Sequence, residues 1–299
     1  MAGVARSVGV RQAGAMLRTL GSGMSSVRAY GLQDVRRALD VCAQDPVTNV
    51  FVAARIRESG LIGTRGPLFG YESGGDHALC WCAANVVPVE AGPRALGALA
   101  GKVVKRRASA SSIFGPADQV LDLWARLEPH WGEPREVRRS QPVMTMQALP
   151  SSVGVPIDPL VRPARAEELD LVVPAAAAMF TEEIGYPPYR GNATAYRRAV
   201  AGLIDQSHTL VRVEDGEVVF KADLGSVALG VAQVQGVWVH PRWRGQGMAA
   251  PAMAAVVEHT IRHVAPVVTL YVNDFNARAL ATYRRVGMVQ TGTFATVLL

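Results

Sequence analysis

Three cysteines are all that the 299-residue chain contains: Cys42, Cys80 and Cys82. A disulfide framework needs more of them at regular spacings. A zinc site wants a gap of about two to four residues between paired ligands, whereas Trp81 alone separates Cys80 from Cys82. Three buried apolar thiols in a reducing cytoplasm, and no metal, are the reading they support. Long apolar runs are also missing. No stretch reaches the ~20 residues of a membrane-spanning helix, and no uninterrupted apolar core of a secretory signal precedes a cleavage site, so no membrane partner is expected. Acids are absent before Asp34, where Arg6, Arg11, Arg18 and Arg28 supply four of the formal net charge of +6. The rest of the chain is therefore nearly balanced, and its basic pI says little about nucleic acid. The one short basic run, Lys102 to Arg107, has no interleaved aromatics and reads as a solvated face.

Charged residues make up 19% of the chain and apolar residues 49%, a composition able to bury a large core. Beyond roughly 250–300 residues a single core stops growing, so two domains are the default. The acid-poor residues 1–30 have the composition of an organellar transit peptide, of a disordered tail, or of text ahead of a true start at Met24.

Periodicity suggests helices from Gln33 to Gly60, broken at Asp45-Pro46, then strand-like text at 67–71 and 78–87 across a Gly-rich turn. A helix at 95–104, a strand at 112–114 and a helix at 118–127 follow. Three prolines, a glycine and two serines crowd the segment 148–160, which reads as a linker. Past it come a strand at 161–163, helices at 169–180 and 194–206, and strands at 209–213 and 217–224 joined by Asp215-Gly216, a hairpin dipeptide. A long strand, 230–239, then leads through a Gly-rich loop to a helix at 247–263, a strand at 267–272, a helix at 276–286 and terminal strands. The fold class is α/β (α+β).

The segment Val237-Trp-Val-His-Pro-Arg-Trp-Arg-Gly-Gln-Gly-Met-Ala249 places a glycine pair between a strand and a helix. There backbone N–H groups and the positive end of the helix can meet an anion such as a pyrophosphate. Gly245-x-Gly247-x-x-Ala250, with Asp274 beyond the next strand, also mimics a dinucleotide fingerprint. That fold needs further βαβ units, and only 25 residues follow Asp274.

Two motifs in this region resemble those of the GNAT N-acetyltransferase superfamily. Arg244-Gly-Gln-Gly247-Met-Ala249 matches its acyl-CoA loop. Asn276, Ala279, Tyr283, Gly287 and Met288 match its second motif, with methionine where phenylalanine is usual. The resemblance covers residues 161–299. It implies two splayed strands, 230–239 and 267–272, that admit the pantetheine arm of acetyl-CoA. Val237, Trp238 and Val239 would border the arm, the peptide groups of Arg244, Gly245, Gln246, Gly247, Met248 and Ala249 would hold the diphosphate, and Asn276 would hydrogen-bond the arm. Tyr283 would then act as general acid toward sulfur, although a tyrosine sharing a helical face with Ala279 and Val286 is also an ordinary core residue.

Family members often carry a glutamate on the strand before the loop; this chain has Gln233 and Gln235, which cannot serve as bases. Glu182 or Glu183, after the first helix of this half, could hold an ammonium and take its proton, or be solvated helix-end carboxylates. His208 and His240 suit surface or capping roles. The order of elements from 78 to 127 parallels the later segment, with Trp124 near the place of Tyr283. Residues 31–147 thus resemble a degenerate GNAT-like domain without a CoA loop, as in bacterial proteins of this layout. The expected activity is acetyl transfer from acetyl-CoA to a primary amine of a small molecule or protein, by a cytoplasmic monomer or homodimer. A non-catalytic acyl-CoA sensor is the alternative, and the basic tail leaves organellar targeting open.

Overall fold

The computed structural model describes residues 26–62 and 66–299; most of the basic tail lies outside them. The first half runs β1 (Ser26–Ala29), α1 (Val35–Cys42), α2 (Pro46–Ser59), β2 (Leu68–Ser73), β3 (Asp76–Cys82), β4 (Asn85–Val89), α3 (Pro93–Val103), β5 (Ser112–Pro116), α4 (Ala117–Trp131) and β6 (Glu136–Met146). The second repeats that order as β7 (Arg162–Pro163), α5 (Leu169–Ile184), α6 (Thr194–Asp205), β8 (Thr209–Glu214), β9 (Glu217–Ala228), β10 (Val231–Val239), α7 (Ala249–His263), β11 (Val267–Tyr271), α8 (Ala277–Val286) and β12 (Val289–Leu298). The repeat extends to local chemistry. Arg28 grips Asp34 through both terminal nitrogens while the Gly31 N–H donates to the same carboxylate. Arg162 grips Glu168 in the same way while the Arg165 N–H donates to it.

All twelve strands among the described residues join one mixed sheet in the order β1-β2-β3-β4-β5-β12-β6-β11-β10-β9-β8-β7. The two last strands are exchanged. β12, from the second half, lies antiparallel to β5 of the first, and β6, from the first, lies antiparallel to β11 of the second. Phe294, Ala295 and Val297 of β12 are accordingly buried in the cores of the first half. Helices α7 and α8 cover one face of the second half with an Ala-rich, Met- and Val-bearing core, and α5 and α6 cover the other. Helix α2 crosses between the halves, its Arg55 donating to the Gly225 carbonyl at 3.2 Å.

Several elements depart from the sequence reading. Residues 26–29, counted with the tail because they carry no acid, pair with β2. The run 78–87, read as one strand, is cut by a turn in which the Ala83 N–H donates to the Asn85 carbonyl, and the Asn85 side chain donates to Ser112. Its alanines carry no turn signal. β6 escaped notice altogether. Its first half is charged and Pro142 interrupts it, features that count against a central strand. Cys42, Cys80 and Cys82 are buried free thiols, and no helix among the described residues is long and apolar enough to cross a membrane.

The paired acids make acid stability a direct readout of the repeat. The Arg162 guanidinium holds the Glu168 carboxyl down to about 2 from an ordinary 4.5, so the unfolded chain binds a proton at a pH where the folded one does not. The stability this supplies is fully present above about pH 4.5 and is lost as pH falls through about 2. Glu168→Gln is expected to cost roughly 1–3 kcal/mol at pH 7, and less at pH 3. Thermal melts at the two pH values check this; an equal loss at both would remove the ion pair as its cause.

Candidate active site

The two parallel pairs in the sheet are where it opens. β10 and β11 are paired only from Val231↔Val267 to Gln233↔Thr269, after which they part. β10 also carries a bulge against β9 between Gln235 and Trp238, centred on Gly236 at φ +59°. A Cβ there would lie 3.0 Å from Met179 Cε and 3.2 Å from Asp223 Oδ2, so both the conformation and the space call for glycine. Beneath it Lys221 and Asp223 form a buried ion pair, and Thr209 donates to the same Asp223 carboxylate at 2.9 Å.

Between the parted strands lies a cavity of ≈ 360 Å³. β10 contributes Val234 to Trp238, β11 and its following loop Leu270 to Asn273 with Phe275 and Asn276, α5 contributes Met179, Glu182 and Glu183, α8 contributes Tyr283, and β6 contributes Arg138 and Gln141. Tyr283 is 7% exposed, and its hydroxyl hydrogen-bonds no protein atom among the described residues. Burial, with the Glu183 charge adding to it, pushes the phenol well above its usual range. Tyr283 thus stays protonated at neutral pH.

The two adjacent glutamates have separate environments. Glu182 accepts the Trp238 indole N–H at 3.0 Å and pairs with Arg244 at 2.7 Å, which ties the end of α5 to β10 and to the loop behind it. Glu183 has no such partner among the described residues. Glu183 is exposed and lines the cavity; desolvation against the cavity walls raises its pKa, opposed by the charge of Arg138. Glu182 and Glu183 read alike in sequence, but the fold commits one and leaves the other free.

The loop after β10 is built as a donor surface. Gly245 and Gly247 have φ of +76° and +80°, and a Cβ on either would meet nothing, so it is conformation that selects glycine there. The backbone N–H groups of Gly245, Gln246, Gly247 and Met248 reach no protein acceptor among the described residues. The helix α7 that follows has no side-chain cap at Met248 and a proline, Pro251, in its first turn. An uncapped start with free N–H groups suits an anion. Arg244 itself turns away, donating to the Val239 carbonyl at 2.9 Å. Val237 and Val239 flank the cavity strand, and Ala249 opens α7. Asn276 lines the cavity but also caps α8, accepting from the Ala279 N–H at 3.1 Å; its amide nitrogen makes no hydrogen bond to protein among the described residues. Gln233 is buried, whereas Gln235 is exposed and lies across Gly225. His240 caps the turn after β10 by accepting from the Arg242 N–H. His208, on the far side, is half-buried, and burial lowers its pKa.

The first half parts its strands too, since β4 and β5 are paired only at Asn85↔Ser112 and Val86↔Ile113. There the gap is filled. Phe114 meets Phe51 edge-on at 4.9 Å and stacks on Tyr271 at 6.0 Å. The turn leading into α3 commits its Ala91 N–H to Gln119 and carries one glycine, Gly92, where the loop before α7 carries two; Trp124 is a buried core residue of α4. Among the described residues no cluster of three or more His, Cys, Asp or Glu is placed to hold a metal.

Sequence reasoning missed Arg138, Gln141 and the Lys221–Asp223 pair. The only signal for the bulge was a glycine inside an otherwise regular strand, and nothing in the sequence marked β6 as a wall of this cavity.

Comparison with known proteins agrees with this geometry. The model of the acetyltransferase (GNAT) family matches residues 176–288, and a domain of unknown function (DUF4081) matches residues 66–172. No curated protein matches the chain. Among solved structures, a GCN5-related N-acetyltransferase from Sphaerobacter thermophilus is similar at 18% identity with a TM-score of 0.60, covering 91% of this chain and 94% of that one. A GNAT-family acetyltransferase from Colwellia psychrerythraea has 13% identity and a TM-score of 0.57, over 92% and 99% of the two chains. A tandem GNAT protein from the clavulanic acid biosynthesis pathway has 15% identity and a TM-score of 0.52, over 91% and 98%. These likenesses show the fold and extend through both halves. Residues 176–288 therefore match the acetyltransferase (GNAT) family and lie in a tandem α/β architecture whose sheet they share with the half before them.

Proposed function

We propose that the second half binds acetyl-CoA and catalyses direct transfer of the acetyl group to a primary amine. The observation that carries this reading is the pair of parted strands opening onto a cavity where an unbonded tyrosine hydroxyl and an uncommitted carboxyl converge, next to a loop of free N–H groups. The residues present fit an acyl-CoA: a slot bounded by strand backbone for a narrow arm, and an uncapped helix start for a diphosphate. When bound, that molecule would supply an activated thioester.

The chain's own part is then simple. The N–H groups of Gly245 to Ala249, none of which has an intrahelical acceptor, hold negative charge. Val237, Trp238 and Val239 border the slot, and the free amide nitrogen of Asn276 offers a donor at its other edge. Glu183 takes the proton that an arriving ammonium must lose before it can attack. Tyr283 keeps a proton on its phenol oxygen for the departing sulfur. Glu182 acts indirectly, by fixing Arg244 and Trp238.

Calorimetry with acetyl-CoA and release of free thiol with a panel of amines test the reading. Because Glu183 must be ionised to act, activity is expected to rise with pH through a value above the ordinary carboxylate range, and Glu183→Gln should lower kcat and remove that limb. An unaltered pH profile in Glu183→Gln would exclude it as the base. Binding of acetyl-CoA without thiol release for any amine would instead leave an acyl-CoA sensor.

A further inference from the structure

The cavity has two oppositely charged walls, and they come from different halves of the chain. On one side β6 brings Arg138 into the lining, with Arg135, Glu136 and Arg139 beside it but outside the cavity, past the end of β11, where the Asp274 N–H meets the Ser140 carbonyl. On the other side the end of α5 brings Glu182 and Glu183. Most of these groups are occupied. Arg135 lies over the Tyr186 ring at 5.0 Å, and Glu182 is held by Arg244 and Trp238. Arg138 uses Nε and Nη2 on the Glu136 carboxylate, at 2.9 and 3.1 Å, and Nη2 again on the Glu183 carbonyl at 3.2 Å.

What is left over is specific. Arg138 Nη1 donates to no protein atom among the described residues, and it is absent from the buried side-chain atoms that lack a partner, which are Arg55 Nε and Ser226 Oγ. It is therefore open to solvent in a side chain that is only 9% exposed and that lines the cavity. Across from it stands the Glu183 carboxyl, equally uncommitted. A guanidinium nitrogen with two free N–H bonds can receive a carboxylate oxygen, and a free carboxylate can receive an ammonium.

We infer that the acceptor is a zwitterion, an amine bearing a carboxylate a few bonds away, as in a free amino acid, with Arg138 of the first half receiving the carboxylate and Glu183 of the second receiving the amine. This rests on the transferase reading above and deepens it. It also assigns the first half a role: that half lacks the glycine-pair loop, and it builds the specificity wall of its neighbour's site. Gln141 supports that wall from behind, donating to Asn273 at 2.8 Å and accepting from Thr296 at 2.6 Å.

The test compares each proteinogenic L-amino acid with its own carboxamide as acceptor for the full-length protein, by thiol release at saturating acetyl-CoA. A charged hydrogen bond of this kind corresponds to a preference of about 10-fold to 100-fold. The carboxamides have the less basic amines, so without recognition they would react at least as fast as the acids. The expected result is at least one amino acid with kcat/KM about tenfold or more above its amide, and collapse of that ratio toward one in Arg138→Gln, with partial recovery in Arg138→Lys. A purely bracing role for Arg138 would lower both rates together and leave the ratio intact, which would overturn the inference. So would amides, or plain alkylamines, reacting as well as the acids in the unmutated protein. Acetyl-CoA binding with no amine acylated would overturn the transferase reading, and the inference with it.

Discussion

Residues 148–299 expressed alone are expected to yield no folded acetyltransferase, although they contain both motifs and every proposed acetyl-CoA contact. The exchange of last strands is the reason. β12 has two neighbours, β5 and β6, and both would be lost in such a fragment. β11, whose parting from β10 forms the cavity, would become an open edge where β6 now lies. Phe294, Ala295 and Val297, buried in the first half's cores, would face water; large side chains such as phenylalanine lose about 1.5–3 kcal/mol each on such exposure. An exposed, apolar, unpaired strand is also a template for aggregation. The same reasoning applied to residues 1–147 predicts failure there too, because β6 would lose both its neighbours and β5 would keep only its short pairing with β4. Co-expression of the two fragments should recover soluble protein that binds acetyl-CoA. A monomeric, cooperatively melting 148–299 fragment with intact acetyl-CoA affinity would show that the exchange is dispensable.

Replacing Tyr283 by phenylalanine should reduce kcat by about 10²- to 10⁴-fold, the range for loss of a positioned proton donor, with little change in acetyl-CoA affinity. The ring packs beside Leu280 and Val286 in the α7–α8 core, and phenylalanine keeps that packing, so the melting temperature should barely move. The hydroxyl has no protein partner among the described residues, so its removal breaks no internal hydrogen bond. The two measurements together separate acid from core residue. A variant that melts normally and turns over normally would return Tyr283 to the core, where helical spacing alone had also placed it. Burial keeps the phenol protonated well past neutrality. The alkaline limb of the rate profile should therefore lie far above the acidic limb set by Glu183, with a broad plateau between them.

Much of this was legible before any coordinates. The hairpin at Asp215-Gly216, the alternation of β8 and β9, the loop Arg244 to Ala249 and the spacing from Asn276 to Met288 are local patterns, and local chemistry of φ, capping and periodicity decides them. The parallel order of elements in the two halves was partly visible for the same reason. What escaped were features that depend on distant neighbours. The turn at Ala83 has no turn residue to announce it. β6 is charged where it borders the cavity and carries Pro142 between the two register shifts in its pairing with β12, so it violates strand patterning just where it serves the site.

By itself, then, the sequence determined the helices and most strands of each half, the glycine loop and its free N–H groups, and the family that residues 176–288 match, because all of these rest on contacts within a few residues or on motifs of fixed spacing. Only the tertiary structure decided that the last strands trade places, that Glu182 is bound while Glu183 is free, and that Arg138 faces the cavity of the other half. Those outcomes depend on which surfaces meet across more than 40 residues of chain, and no local propensity encodes such a meeting.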